Sequence, residues 1–572
     1  MPLKISSITP RGGRPLSLGQ FSILVGPNNC GKSQTLLDIR DFITSGITSR
    51  LTILTEVGLE LPSESEAMGD LRQSPHQLPG HTSLSGVSSD LQKGHEFAPP
   101  DGWLKQMYSG SSQPAIRQQL LTNMGTFWVA HLDAEGRFKL TAPTDSYDKR
   151  TGSPANALQA FFAGGKTKQE ELRVAFREAF GIDIALDWAA MRRLYLRVGS
   201  EFGEIPEQRD LLDALLRDAP ELSRQGDGYR SFAGVALAIM TFPTRPLLLD
   251  EPEAFLHPAQ ARVLGRWLAT EARKRPAQVV VASHSADFLW GIISANVGAT
   301  IIRLNRDRDT TKYHVIPSAV TDGLVRSPLL SSQPVLDSLF HRGVVVCEGD
   351  PDRAIYQTVA HTLLREIGGE NVLFIHSNGK DAVKTPVELL RQAGTPVCAV
   401  VDFDVLNSEK ILSEIMEALT GAPPTAKILE HRTNIAAQVE LVSEAELLKL
   451  LQSAVSGWQT NEHTDVREAR RALRSIAGQG SKWDAVKRTG EDFFSDEVRT
   501  EVQNLIVILR ALGLFIVPKG QLESWINLKI AKGPKWNRAA LERVHSGSCP
   551  DPLREFVRSI IIHLIPSTQT TA

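Results

Sequence analysis

Three groups of residues in this 572-residue chain have the types and spacings that phosphate and metal chemistry require. The first is Gly26-Pro27-Asn28-Asn29-Cys30-Gly31-Lys32-Ser33, which fits the pattern GxxxxGK[ST] and follows the apolar run FSILV (21–25). The glycines Gly26 and Gly31, with Asn29 between them, let backbone N–H groups turn inward on phosphate oxygens. Lys32 then reaches the β- and γ-phosphates, and the Ser33 hydroxyl ligates Mg²⁺. The second group is Asp250 and Glu251, directly after PLLLD (246–250), followed by His284 in Ser283-His284-Ser285, which ends the run QVVVAS (278–283). Adjacent carboxylates at a strand end repel without a cation. Asp250 is expected to hold Mg²⁺ through water, Glu251 to orient an attacking water, and His284 to sense a γ-phosphate. Alone, His284 would read as a structural histidine; its order after the acidic pair favours the nucleotide role. The third group is Glu348 and Asp352 in RGVVVCEGDPDRAIY, with Asp402 and Asp404 in CAVVDFDVL. Residues i and i+2 of a strand face the same way, so Asp402 and Asp404 are expected to share one side. Carboxylates gathered at neighbouring strand ends suit Mg²⁺ or Mn²⁺. Separate surface turns are the alternative, since Asp and Gly both favour them.

These residues need strands to carry them. The runs at 21–25, 246–250 and 278–283 are apolar throughout, as strands buried on both faces of a parallel sheet are. Each delivers its polar cluster at its C-terminal end, where open α/β sheets place ligands. A second set of runs, at 342–349, 371–376, 395–404 and 512–518, alternates with helical stretches and predicts a second parallel α/β domain. The polar stretch after Arg303 reads as a late edge strand and a linker. The domains are therefore expected at 1–335 and 336–572. An insertion is expected at about 60–220: its segment 62–102, rich in Ser, Gly and Pro, reads as a surface loop, and 155–218 as helical, an arm or a dimerisation element.

Composition bounds the partners. Lys and Arg number 63 and Asp and Glu 65, so no global basic field exists and nucleic acid would need a local patch. One candidate is Arg467, Arg470, Arg471 and Arg474, at helical spacing, extended by Lys482, Lys487 and Arg488; a solvated helix face is the plainer reading. Cys30, Cys347, Cys398 and Cys549 lie too far apart in sequence for a zinc or disulfide motif, which fits a reducing cytosol. No apolar run approaches the ~20 residues of a membrane span, so a cytoplasmic protein without a membrane partner is expected.

The nucleotide motifs resemble those of ABC-type ATPases of the recombination and chromosome-maintenance branch, in which EPExxLHP and a strand ending in SHS recur. By that resemblance Gln225-Gly226-Asp227-Gly228-Tyr229-Arg230-Ser231 corresponds to the signature loop, departing from LSGGQ, and Ser231 would contact ATP of a second protomer, implying a homodimer or higher oligomer. The Glu-Gly and Asp-x-Asp motifs resemble Toprim domains, with NGKDAV (378–383) at the intermediate position. An ATPase followed by Toprim resembles the overcoming-lysogenisation-defect (OLD) nucleases, and the layout is similar to that of the large subunit of the Gabija anti-phage system. The resemblance implies an α/β ABC-type ATPase domain and a Toprim α/β domain, with ATP and Mg²⁺ or Mn²⁺ as cofactors. It also implies Glu523 in PKGQLESWI as the acid completing a two-metal site, and Lys532 or Lys535 as a phosphate-contacting lysine. The expected activity is ATP-regulated DNA cleavage in anti-phage defence, with a defence partner protein possible. RNA cleavage, such as of tRNA, and an ATP-driven sensor with a silent nuclease site are the alternatives.

Overall fold

The computed structural model describes residues 2–69, 71–150, 152–326, 336–367, 371–439, 452, 470, 483–528 and 530–565. The chain divides into two compact units, Met1–Arg326 and Ser327–Ala572.

The first unit is built on a six-stranded sheet. Its strands are β1 (Phe21–Val25), β2 (Ala130–Leu132), β3 (Leu247–Asp250), β4 (Val279–Ala282), β5 (Thr300–Asp307) and β6 (Thr310–Ile316). They lie in the order β6-β5-β1-β4-β3-β2, parallel except for the β5–β6 hairpin. Every residue of β1 and β4 is buried, which is why their sequences do not alternate. The helices that matter to the site are α1 (Lys32–Ser45), α2 (Ala134–Leu140), α3 (Gly165–Phe180), α4 (Asp227–Thr241), α5 (Pro258–Lys274) and α6 (Ala286–Ser294).

The stretch 60–220 is not one insertion. Strand β2 is an integral edge of the central sheet, paired with β3, and helix Pro114–Trp128 packs on α1. The approach is close: a Cβ on Gly125 would run into the Ile43 carbonyl oxygen. Segment 62–102 is likewise not a loop. It forms a three-stranded antiparallel sheet, Arg72–Pro75, Thr82–Val87 and Gly94–Phe97, because Leu84 and Val87 have an apolar wall to bury against. Segment 155–218 contains the expected helices, α3 among them, but also the paired strands Asp183–Asp187 and Arg193–Gly199. The buried Arg173 guanidinium on α3 ties the first of these strands down, donating to Asp183 at 2.7 and 3.1 Å.

The second unit carries a four-stranded parallel sheet: β7 (Gly343–Cys347), β8 (Val372–His376), β9 (Val397–Val401) and β10 (Leu514–Ile516), in the order β8-β7-β9-β10. Helices α7 (Asp350–Ile367), α9 (Pro534–His545) and α10 (Asp551–Leu564) share one core with it, centred on Val345, Phe515, Trp536 and Phe556; α8 (Trp483–Thr489) lies beside the strand ends. From β7 the chain goes to β8 on one side, and β9 then pairs on the other. The C-terminal ends of β7 and β9 thus flank the switch point of the sheet, where α/β folds hold their ligands.

Candidate active sites

In the first unit the loop after β1 takes backbone conformations that suit its residues. Gly26 (φ 148°) and Gly31 (φ 101°) are left-handed, as is Asn29 (φ 62°), and a Cβ on Gly26 would strike the Leu304 carbonyl oxygen. Lys32 is buried, its Nζ donating to the Gly26 and Pro27 carbonyls at 2.9 and 3.0 Å. Ser33 Oγ donates to Asp250 Oδ1 at 2.9 Å, so the two groups expected to share Mg²⁺ already meet across β1 and β3. Burial pushes the Asp250 carboxyl up, against the Ser33 hydrogen bond. A bound cation relieves that cost, and the hydroxyl and carboxylate oxygens are donors that Mg²⁺ takes. The hydrogen bond with His284 holds Glu251 below its ordinary range, their contact being Nδ1 to Oε1 at 3.1 Å, and raises His284 in turn. Glu251 itself is left-handed (φ 46°), a strained geometry for a side-chain-bearing residue.

Arg137 on α2 fixes that strained turn. Fully buried, it donates to the Asp250 and Glu251 carbonyls at 2.7 and 2.9 Å and through Nε to Ser231 Oγ at 3.0 Å. Buried Glu253 accepts from Ser283 Oγ at 2.7 Å and from the His284 amide at 3.1 Å, seating the histidine. Sequence reasoning singles out neither Arg137 nor Glu253; the EPE spacing marks Glu253, whereas nothing local marks Arg137. Ser231 requires a correction. It lies in the second turn of α4, wholly buried under Arg137, so its hydroxyl does not face a nucleotide; the exposed residues at the start of that helix are Gly226 and Asp227. A cavity of about 580 Å³ is lined by Asn29, Gly31, Lys32, Ser33, Glu251 and His284, among others.

In the second unit one oxygen each of Glu348, Asp402 and Asp404 lie within 4.8 Å of one another. Their closeness has a different origin from the pleat argument. Strand β9 ends at Val401, and Asp402 caps a short 3₁₀ turn, Phe403–Asn407, that swings Asp404 back beside it. The Asp402 amide donates to Glu348 Oε2 at 3.3 Å, joining the ends of β7 and β9. Asp352, in the first turn of α7, accepts from the Gly349 amide at 3.1 Å. Burial, then the Asp402, Glu348 and Glu523 carboxylates, push its pKa up to about 7; burial and Glu348 push Asp402 up to about 6. Glu523 joins this group through that repulsion, and its buried Oε2 has no hydrogen-bond partner among the described residues. An all-oxygen donor set in which Asp352 and Asp402 are pushed up by burial and by their acidic neighbours, with an orphaned carboxylate oxygen beside it, fits a hard divalent cation.

Three lysines face these acids. Lys380 Nζ donates to Asp404 Oδ2 at 2.6 Å, reaching back from a turn made by Asn378 (φ 63°) and Gly379 (φ 120°). Lys532 contacts Glu523 Oε1 at 3.0 Å, while Lys535 is exposed on the first turn of α9. Lys487 lies 3.1 Å from Asp402 Oδ2 and 3.2 Å from Asp404 Oδ1, so it belongs to the acidic cluster and not to an arginine stripe. Of that stripe, Arg470 and Arg488 are exposed, and Arg467, Arg471, Arg474 and Lys482 lie outside the described residues.

The raised carboxyls predict a pH-dependent metal effect. Their folded pKa values lie above the unfolded value, so metal-free stability falls as pH rises from about 4 through about 7, where the fold must give up protons it holds. A divalent ion offsets the repulsion only once the carboxyls are ionised. The Mg²⁺-induced rise in Tm should therefore grow across that window and be lost in Asp402→Asn, as thermal melts with and without Mg²⁺ will read.

Residues 339–404 match the family model described as overcoming lysogenization defect protein-like, TOPRIM domain, and residues 171–289 match that described as AAA domain, putative AbiEii toxin, Type IV TA system. No curated protein matches the sequence. Among solved structures the chain is similar to an Smc head bound to the C-winged helix domain of ScpA, at 10% identity and a TM-score of 0.34 over 55% of this chain and 97% of that one. It is also similar to the SMC head domain from Thermotoga maritima, at 12% identity and a TM-score of 0.29 over 55% and 100%. A third is the Smc head domain with an extended coiled coil from Pyrococcus furiosus, at 10% and 0.30 over 56% and 98%. Among the described residues no helix is long and apolar enough to cross a membrane. The chain joins an AAA-type ATPase domain, matched over residues 171–289, to a carboxy-terminal OLD-like TOPRIM domain, matched over residues 339–404.

Proposed function

We propose that this protein is an ATP-regulated, divalent-metal-dependent endonuclease that cleaves DNA, serving defence against phage. The observation that carries the reading is the convergence of Glu348, Asp402 and Asp404, with Asp352 and Glu523 beside them, at the switch point of a TOPRIM sheet. A divalent ion held there supplies charge stabilisation to the phosphodiester as it is attacked. The chain's own part is to gather the carboxylates, to keep them partly desolvated, and to present Lys380 and Lys532 at the rim. Lys532, already beside Glu523, is the better placed of the two late lysines to contact phosphate.

The ATPase half, about 1–335, regulates the nuclease half, about 336–572. Gly26, Asn29, Gly31 and Lys32 hold the triphosphate, Ser33 and Asp250 its Mg²⁺, and Glu251 with His284 order the hydrolytic water. Glu251→Gln should leave ATP binding within a fewfold of the parent and slow hydrolysis by about 10²-fold or more, since only the water-orienting group is changed. Equilibrium nucleotide titration beside a phosphate-release assay checks both halves. Substrate class is read by offering plasmid, linear DNA and total RNA in parallel, with Mg²⁺ or Mn²⁺ and with or without ATP. Loss of RNA with intact DNA would replace the DNA assignment.

A further inference from the structure

The cation nearest the centre of the carboxylate cluster belongs to the protein itself. Lys487 Nζ bridges Asp402 Oδ2 and Asp404 Oδ1 at 3.1 and 3.2 Å, touching two of the three residues whose oxygens converge. Lys380 differs: it meets Asp404 alone, on the other oxygen, Oδ2. Lys532 is farther out, on Glu523. An ammonium bridging two carboxylates satisfies charge that a divalent ion would otherwise satisfy, and the two cations repel if both are held there. Lys487 also has a way out. It reaches the cluster from α8, a helix of seven residues, and its side chain is 27% exposed, against 12% and 15% for the two aspartates it contacts. The head can swing out into water, where an ammonium on a long, flexible stem is well solvated, but it gives up its two carboxylate contacts in doing so.

We propose that Lys487 is a resident counter-cation of the nuclease site, holding Asp402 and Asp404 together in the metal-free protein and yielding that place when a divalent ion enters. The inference rests on the reading of the cluster as a metal site. It makes Lys487 a determinant of metal affinity: the ion must displace an ammonium, so the site binds metal more weakly than its carboxylates alone would, and it stays quiet when metal is scarce. A lysine with a merely structural role, needed to shape the site whether or not metal is bound, would have the opposite effect on affinity when removed.

The test is Mn²⁺ binding to the full-length protein without nucleotide, followed by calorimetry and by the electron paramagnetic resonance signal of free Mn²⁺, for the parent, Lys487→Met, Lys487→Arg and Asp402→Asn. Lys487→Met should bind Mn²⁺ about tenfold tighter or more, since one competing positive charge is gone, and Lys487→Arg should remain near the parent. Without metal Lys487→Met should melt below the parent, and saturating Mn²⁺ should close that gap. Unchanged or weaker Mn²⁺ binding by Lys487→Met, in protein that melts cooperatively, overturns the proposal while leaving the metal site standing. Absence of Mn²⁺ binding in the parent and in Lys487→Met alike overturns the metal site and the proposal with it.

Discussion

Asp402→Ala should lower DNA cleavage by several orders of magnitude while leaving ATP hydrolysis near the parent rate. Asp402 is buried to 9% exposure at the end of β9, where it faces Glu348, Asp404 and Lys487. Its removal takes away a proposed metal-ligating oxygen and leaves Lys487 facing one acid in place of two. Electrostatic stabilisation commonly contributes more to phosphoryl transfer than any other effect, so losing the group that anchors it costs more than an ordinary contact. Lys32, Ser33 and Asp250, proposed to hold the nucleotide and its Mg²⁺, belong to the other unit of the chain, with a separate sheet behind them. Matched cleavage and phosphate-release assays on one preparation make the comparison. An equal loss of both activities would point to misfolding, and circular dichroism with a thermal melt on the same sample separates that outcome.

Lys32→Ala should weaken ATP binding by about 10²-fold or more, through loss of charge-assisted contacts to the β- and γ-phosphates. Its Nζ now donates to the carbonyls of Gly26 and Pro27, so it is already curled within the loop proposed to cradle the phosphates. Alanine leaves those carbonyls without the Lys32 donor, yet the left-handed glycines that shape the loop are untouched. The fold should therefore survive, and equilibrium titration with a fluorescent ATP analogue reads the loss. Affinity equal to the parent would remove the loop from the nucleotide site.

Much of this is legible in the sequence because function and burial coincide in it. β1, β3, β4, β7 and β9 are apolar runs without alternation, and each ends in the polar residues it presents; hence the positions of Lys32, Asp250, His284, Glu348 and Asp402 follow from one rule. β2 escapes because Ala130-His131-Leu132 is too short to show a period, and its place in the sheet is set by pairing with β3 across more than a hundred residues. The small sheet within 62–102 escapes because Ser, Gly and Pro signal turns, and its strands hold by packing that local composition does not encode. Asp404 sits where the strand periodicity puts it but for another reason, since a 3₁₀ turn and not a pleat carries it. Ser231 aligns by resemblance with a loop, but the helix begins before it and buries it. Arg137 and Lys487 act on backbone and carboxylates 113 and 83 residues away in sequence, and no short-range pattern announces such contacts.

Whether the TOPRIM carboxylates hold divalent metal to cut DNA is decided most simply by incubating the purified protein with supercoiled plasmid. The lanes contain Mg²⁺, Mn²⁺ or a chelator, with the Asp402→Ala variant alongside. Nicked and linear products are expected in the metal lanes for the parent only, and intact plasmid in the chelator lane. Cleavage that persists in the chelator, or that Asp402→Ala performs as fast as the parent, would contradict a metal-dependent nuclease at this site.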